Sequence, residues 1–181
     1  NIDEVIDCLS SRITYLGVSG NPLREIKPDM FERFQNLDIL QMDHTDLQSI
    51  DFNVFKHCEN LRYVHISGNN LTNANFILSP NKRSKLQGLW VDGNNLTELP
   101  GLNNASYPSL KQLSVYDNPM SCEYVTKLKE QWTILEVTGD QCVKKQTRYG
   151  NNKYLVIETT TENIPKVKIF LEDVVVIMGI M

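Results

Sequence analysis

The sequence lacks most of the features that mark a functional class at a glance. Only four of its 181 residues are cysteine and three are histidine, too few for a disulfide-held miniprotein and without the C-x-x-C or i, i+4 spacings that hold zinc. Neither a metal nor any other cofactor is expected. No run of eighteen apolar residues occurs, so no segment is long enough to cross a bilayer as a helix, and the opening residues lack the basic, apolar, small-residue order of a leader. The expectation is a soluble, mature chain. Lys and Arg total 18 against 22 Asp and Glu, a net charge of −4, and a field of that sign repels phosphate backbones, which argues against a nucleic-acid partner. No Gly-rich phosphate loop is present, nor a nucleophile with a base and an orienting acid. Catalysis is not expected.

What is present is the composition of a folded domain, 41% hydrophobic and 22% charged, arranged as a repeat. Stretches starting at residues 13, 37, 61, 86 and 110 follow one another at offsets of 24, 24, 25 and 24 and share the pattern L-x-x-L-x-L-x-x-N-x-L. Its members are Ile13, Leu16, Val18, Asn21 and Leu23, then Leu37, Leu40, Met42, Thr45 and Leu47, then Leu61, Val64, Ile66, Asn69 and Leu71. Leu86, Leu89, Val91, Asn94 and Leu96 form the fourth copy, and Leu110, Leu113, Val115, Asn118 and Met120 the fifth. Apolar residues at relative positions 4 and 6 alternate with polar ones, the period of a short half-buried strand. One such strand cannot stand alone, but five stacked in parallel about 4.8 Å apart satisfy one another's backbones and bury a continuous apolar column.

The Asn at relative position 9 both donates and accepts, which predicts a ladder from turn to turn. Thr45 interrupts it and makes the weakest rung. Phe31, Phe34 and Leu37, like Phe55, Cys58 and Leu61, recur every three residues, which suits 3-10-like outer turns. The polar run Ser79-Pro80-Asn81-Lys82-Arg83-Ser84 marks a surface bulge in the one 25-residue spacing.

These residues resemble the leucine-rich repeat family of the extracellular animal type, from about Ile13 to Cys142. The resemblance implies an α/β-type leucine-rich repeat solenoid, with short parallel strands on a concave face and mostly irregular or 3-10 segments on the convex side. Segment 1–12 is an irregular lead-in, 13–120 the five repeats, 121–142 a C-terminal cap and 143–181 a β-prone tail. Asn118-Pro119-Met120-Ser121-Cys122 through Trp132 to Cys142 looks like the cysteine-bearing cap of such proteins, although that cap usually has four cysteines and this stretch has two. A single Cys122–Cys142 disulfide is implied, closing a loop of about 21 residues and contributing on the order of 3 kcal/mol. Cys58 reads as a small buried hydrophobe. Cys8 is left to pair with Cys58, with a cysteine beyond this chain, or with a partner. Insect leucine-rich immune proteins are among those to which the chain is similar.

Three sequons, at Asn70, Asn95 and Asn104, tilt the reading toward a secreted glycoprotein. Asn70 and Asn95 each follow a ladder position, so glycans there would line one flank and leave the strand face open. Down the stack, relative position 3 gives Tyr15, Ile39, Tyr63, Gly88 and Gln112, position 5 gives Gly17, Gln41, His65, Trp90 and Ser114, and position 7 gives Ser19, Asp43, Ser67, Asp92 and Tyr116. Rings of this kind anchor protein interfaces. The candidate patch is centred on Tyr63, His65 and Trp90, with Tyr15, Ile39 and Tyr116 around it and Asp43 and Asp92 supplying polar contacts.

In the tail, residues 154–158 and 167–171 read as a hairpin-like pair. The uncharged run Val174 to Met181 is too short to span a bilayer, and reads either as packing against the end of the solenoid or as a self-association strand. The functional expectation is secreted, non-enzymatic recognition of a protein partner through the concave face. The resemblance implies an innate-immune setting, with another leucine-rich repeat protein or a complement-like factor as partner. The alternative is a structural, self-associating extracellular or surface protein that uses its apolar tail, as a homo-oligomer.

Overall fold

The structure, a computed structural model, describes residues 2–23, 25–78, 85–132, 136–138 and 174–176. Each repeat contributes one three-residue strand: β1 (Tyr15–Gly17), β2 (Ile39–Gln41), β3 (Tyr63–His65), β4 (Gly88–Trp90) and β5 (Gln112–Ser114). They pair in chain order, all parallel, with equivalent repeat positions in register. Leu16, Leu40, Val64, Leu89 and Leu113 therefore form one row, buried beneath the sheet, and Val18, Met42, Ile66, Val91 and Val115 form a second. Full burial of each such side chain stabilises by about 1.5–3 kcal/mol.

The outer turns close at three-residue intervals. Phe34 N–H donates to Phe31 O at 3.0 Å and Cys58 N–H to Phe55 O at 3.0 Å. Phe31 stacks on Phe55 with centroids 5.8 Å apart, and Phe55 meets Phe76 edge-on at 6.3 Å, so the rings form a spine along the convex side. Cys58 is buried beside them, its thiol 3.7 Å from Phe31 O. Phe76 lies in a 3-10 turn, Asn75–Leu78. The expected bulge at 79–84 lies outside the described residues. The 25-residue spacing leaves Tyr63 opposite Gly88 in register.

The ladder follows from amide chemistry. Asn69 Nδ2 donates to Met42 O at 2.8 Å and Ile66 O at 2.9 Å, and Asn69 Oδ1 accepts from the backbone N–H of Thr45 at 2.9 Å and of Leu47 at 3.1 Å. Asn94 and Asn118 repeat the arrangement one and two coils on. Thr45 is fully buried, and its one hydroxyl proton must serve either Met42 O at 2.9 Å or Asn69 Oδ1 at 3.0 Å, where an amide would offer two.

The lead-in is not irregular: α1 spans Ile2–Asp7 and seats Ile6 in the core. Apolar residues at Ile2, Val5, Ile6 and Leu9 recur at helical spacing. At the other end α2 (Cys122–Glu130) begins at Ser121, whose hydroxyl accepts from Tyr124 N–H. The helix turns Val125 and Leu128 inward and is followed by buried Trp132, whose indole N–H donates to Tyr107 O. Beyond α2, β6 (Glu136–Thr138) extends the sheet from β5. The last described strand, β7 (Val174–Val176), lies at the opposite end, parallel to β1, in a sheet ordered β6-β5-β4-β3-β2-β1-β7. The expected hairpin at 154–158 and 167–171 lies outside the described residues.

Candidate functional site

Parallel pairing in register sets equivalent side chains about one strand spacing, 4.8 Å, apart, close to the separation at which flat rings stack. On the concave face His65 and Trp90 are register partners, and their rings lie parallel with centroids 4.1 Å apart and planes within 1°. Tyr63 stands beside them, its ring 6.4 Å from that of Trp90 and its hydroxyl donating to Gln87 Oε1 at 2.9 Å. Arg62, ion-paired with Asp38, lies 5.6 Å from the Tyr63 ring. Burial holds the His65 imidazole down at about pKa 4, so the ring is neutral at physiological pH and the stack is uncharged.

The platform depends on a residue the sequence argument passed over. A Cβ on Gly88 would lie 2.3 Å from the Trp90 ring and 3.0 Å from Tyr63, so the indole occupies the space a side chain would fill. A glycine inside an otherwise regular strand is the signal for such a close approach.

Asp43 and Asp92, half-buried on the same face, bond within the stack. Asp43 Oδ1 accepts from Ser67 N–H at 2.7 Å, and Asp43 N–H donates to Ser19 Oγ at 3.0 Å. Asp92 accepts from the Ser114 hydroxyl at 2.5 Å, from Tyr116 N–H at 2.6 Å and from the Ser67 hydroxyl at 3.4 Å. Position 7 is thus a second ladder between coils. Burial raises the pKa of both, and their mutual repulsion adds to the shift at Asp43.

The flanking candidates are spread along the same face. Tyr15 sits over β1 with its hydroxyl donating to Gln41 Oε1, and burial, then the nearby Asp43 charge, raises its pKa. Ile39 lies half-buried between Tyr15 and Tyr63 in the row. Tyr116 stands apart at the far end, 45% exposed. The structure gathers Tyr63, His65 and Trp90 into one cluster, with Tyr15, Ile39 and Tyr116 as separate points around it.

A leucine-rich repeat family model matches residues 11–71. The TLR13 chain of a TLR13–ssRNA13 complex shares the coil over 76% of this chain with a TM-score of 0.63 at 23% identity. The fold is a leucine-rich repeat solenoid. A leucine-rich repeat protein of Leptospira interrogans, LIC12759, aligns over 75% of the chain at a TM-score of 0.62 and 20% identity. The leucine-rich repeat domain of APL1B aligns over 60% at 0.52 and 28%. The solenoid spans only 19%, 33% and 31% of those three chains in turn. No curated protein matches the sequence.

The remaining candidates lie off the concave cluster. Asn70, Asn95 and Asn104 are exposed. Neither Cys8, exposed, nor Cys58, buried, takes part in a disulfide, so of the alternatives left open for Cys8 the bridge to Cys58 is not formed. Cys58 is enclosed by the phenylalanine spine, where a thiol packs as a hydrophobe. Cys122 opens α2, while Cys142, its expected partner, lies outside the described residues. Among the described residues no group of three or more His, Cys, Asp or Glu is placed to hold a metal, and no helix is long and apolar enough to cross a membrane.

Proposed function

We propose that the solenoid is a secreted, non-enzymatic recognition module that binds a protein partner through its concave face, in an innate-immune setting. The observation that carries this reading is the parallel His65–Trp90 stack with Tyr63 at its side, a flat aromatic platform on a half-buried strand face. Rigid rings of this kind offer contact area at little entropic cost, and interface energy concentrates on Trp and Tyr. Asp43 and Asp92 on the same face, with the net charge of −4, favour a protein over a phosphate backbone.

Exposed sequons at Asn70, Asn95 and Asn104 and a Cys122–Cys142 bridge fit an extracellular life. The family resemblance points to another leucine-rich repeat protein or a complement-like factor as partner. In pull-downs from extracellular fluid, the wild-type solenoid is expected to capture a protein that Trp90→Ala and Tyr63→Ala capture weakly. A hot-spot loss of about 2 kcal/mol, roughly thirtyfold in affinity, is the expected size. Unchanged capture by both variants, with unchanged folding by circular dichroism, discards the patch.

A further inference from the structure

We infer that the tail strand β7 is a tethered cover for the N-terminal edge of the sheet, keeping β1 from pairing with the β1 of a second copy of this chain. Val18 N–H donates to Gln41 O at 2.9 Å, and Thr14 O accepts from Ile39 N–H at 3.0 Å, so these groups of the β1 segment point toward β2. Backbone direction alternates along a strand, which leaves the N–H and C=O groups of Tyr15 and Gly17 facing the other way. β7 lies on that side, with Tyr15 opposite Val174, Leu16 opposite Val175 and Gly17 opposite Val176. α1 seats Ile6 in the core but is not β1's neighbour in the sheet, where that place belongs to β7.

Without β7, the solenoid would present an open edge beside its apolar rows, and such edges pair with one another. Two copies related by a two-fold axis would join β1 to β1 antiparallel. The uncharged run Val174 to Met181, which contains β7, is rich in the β-branched residues that favour strand pairing. The β1–β7 pairing hides both liabilities at once.

Tether length decides between covering in cis and exchange between copies. β6 and β7 lie at opposite ends of the sheet, about six strand spacings or ~29 Å apart. The 35 residues between Thr138 and Val174 could span at most roughly 120 Å, so the covalent connection is long enough to bring β7 to β1 of the same chain. A covalent connection that reaches its site makes pairing intramolecular, which raises the local concentration of the chain's own strand above that of a second copy at micromolar protein. This inference is independent of the concave-face partner, and it runs opposite to a tail that drives assembly.

The test is sedimentation of the full chain beside a chain ending at Pro165, both at micromolar concentration. The full chain is expected to be monomeric, and the shortened chain to rise about twofold in mass with concentration. A shortened chain that stays monomeric, or a dimeric full chain that becomes monomeric on shortening, overturns the inference. Should the shortened chain not fold, the full chain carrying Tyr15→Cys and Val174→Cys, with Cys8→Ser, gives the answer on oxidation. An intrachain disulfide in a monomer is expected. A disulfide-linked dimer, or no crosslink at all, overturns the proposal.

Discussion

At Gly68 two costs of adding a methyl group coincide. Its φ is +65°, in the left-handed region, and a Cβ there would lie 2.2 Å from the His44 imidazole. Gly20 occupies the same repeat position with φ +75° and has nothing within 4 Å of its would-be Cβ, so it isolates the backbone contribution. Gly20→Ala is expected to destabilise by about 1 kcal/mol, and Gly68→Ala by more, as read from urea unfolding midpoints. Adding His44→Gly should recover the excess at Gly68, and a double-mutant cycle without coupling would contradict the contact. His44 and Asp117 hold this position with φ of 54° and 57°, so the conformation belongs to the repeat and not to glycine.

Between the residue and the coil, the ladder makes the next prediction. Asn69→Ala orphans the buried N–H groups of Thr45 and Leu47, each costing about 1–3 kcal/mol. Asn21, half-buried, donates to Val18 O and Ser19 O of its own coil, and water can take over where it is removed. Chemical denaturation should therefore show Asn69→Ala at least about 2 kcal/mol worse than Asn21→Ala, and equal losses would contradict the ladder's energetics. This ladder was legible because one residue type recurs at one spacing, and so was the register of Leu16, Leu40 and Val64, since a period of 24 or 25 residues leaves few other stackings. The Ser19, Asp43, Ser67, Asp92 ladder was hidden because, although these residues share one repeat position, its bonds cross between unlike residue types. The helix at Ile2–Asp7 was passed over because only two turns of apolar spacing mark it, and its docking depends on the core supplied by the first repeat. Packing of the run from Val174 against an end of the solenoid was one of two readings open from the sequence, but which end and which register were not legible, because the pairing of residues 15–17 with 174–176 joins distant parts of the chain and no local pattern sets it.

For the molecule as a whole, titration on the concave face makes stability depend on pH in two opposed ways. His65 binds a proton near pH 4 when folded but at its ordinary 6.5 when unfolded. The unfolded chain therefore holds more protons between those values, and His65's contribution to stability is lost as pH falls from 6.5 toward 4. Asp43 and Asp92 have raised folded values, so their contribution is greatest when they are protonated and declines as pH rises above the ordinary carboxylate value of 3.8. His65→Phe keeps a ring against Trp90 and removes the titration. Its advantage over wild type should grow as pH falls through 6.5 to 4 and stay flat above 7, as followed by thermal denaturation at stepped pH, and a constant difference would contradict the buried, neutral imidazole.

The 25-residue length of the third coil, which leaves the row from Tyr63 to Gly88 in register, has a further consequence. In this architecture the strand rows and the segments that return between them are on opposite sides. A convex loop can be lengthened, decorated or traded for another while the rings opposite keep their places, much as a spiral staircase can be widened at its outer wall without moving a tread at the newel.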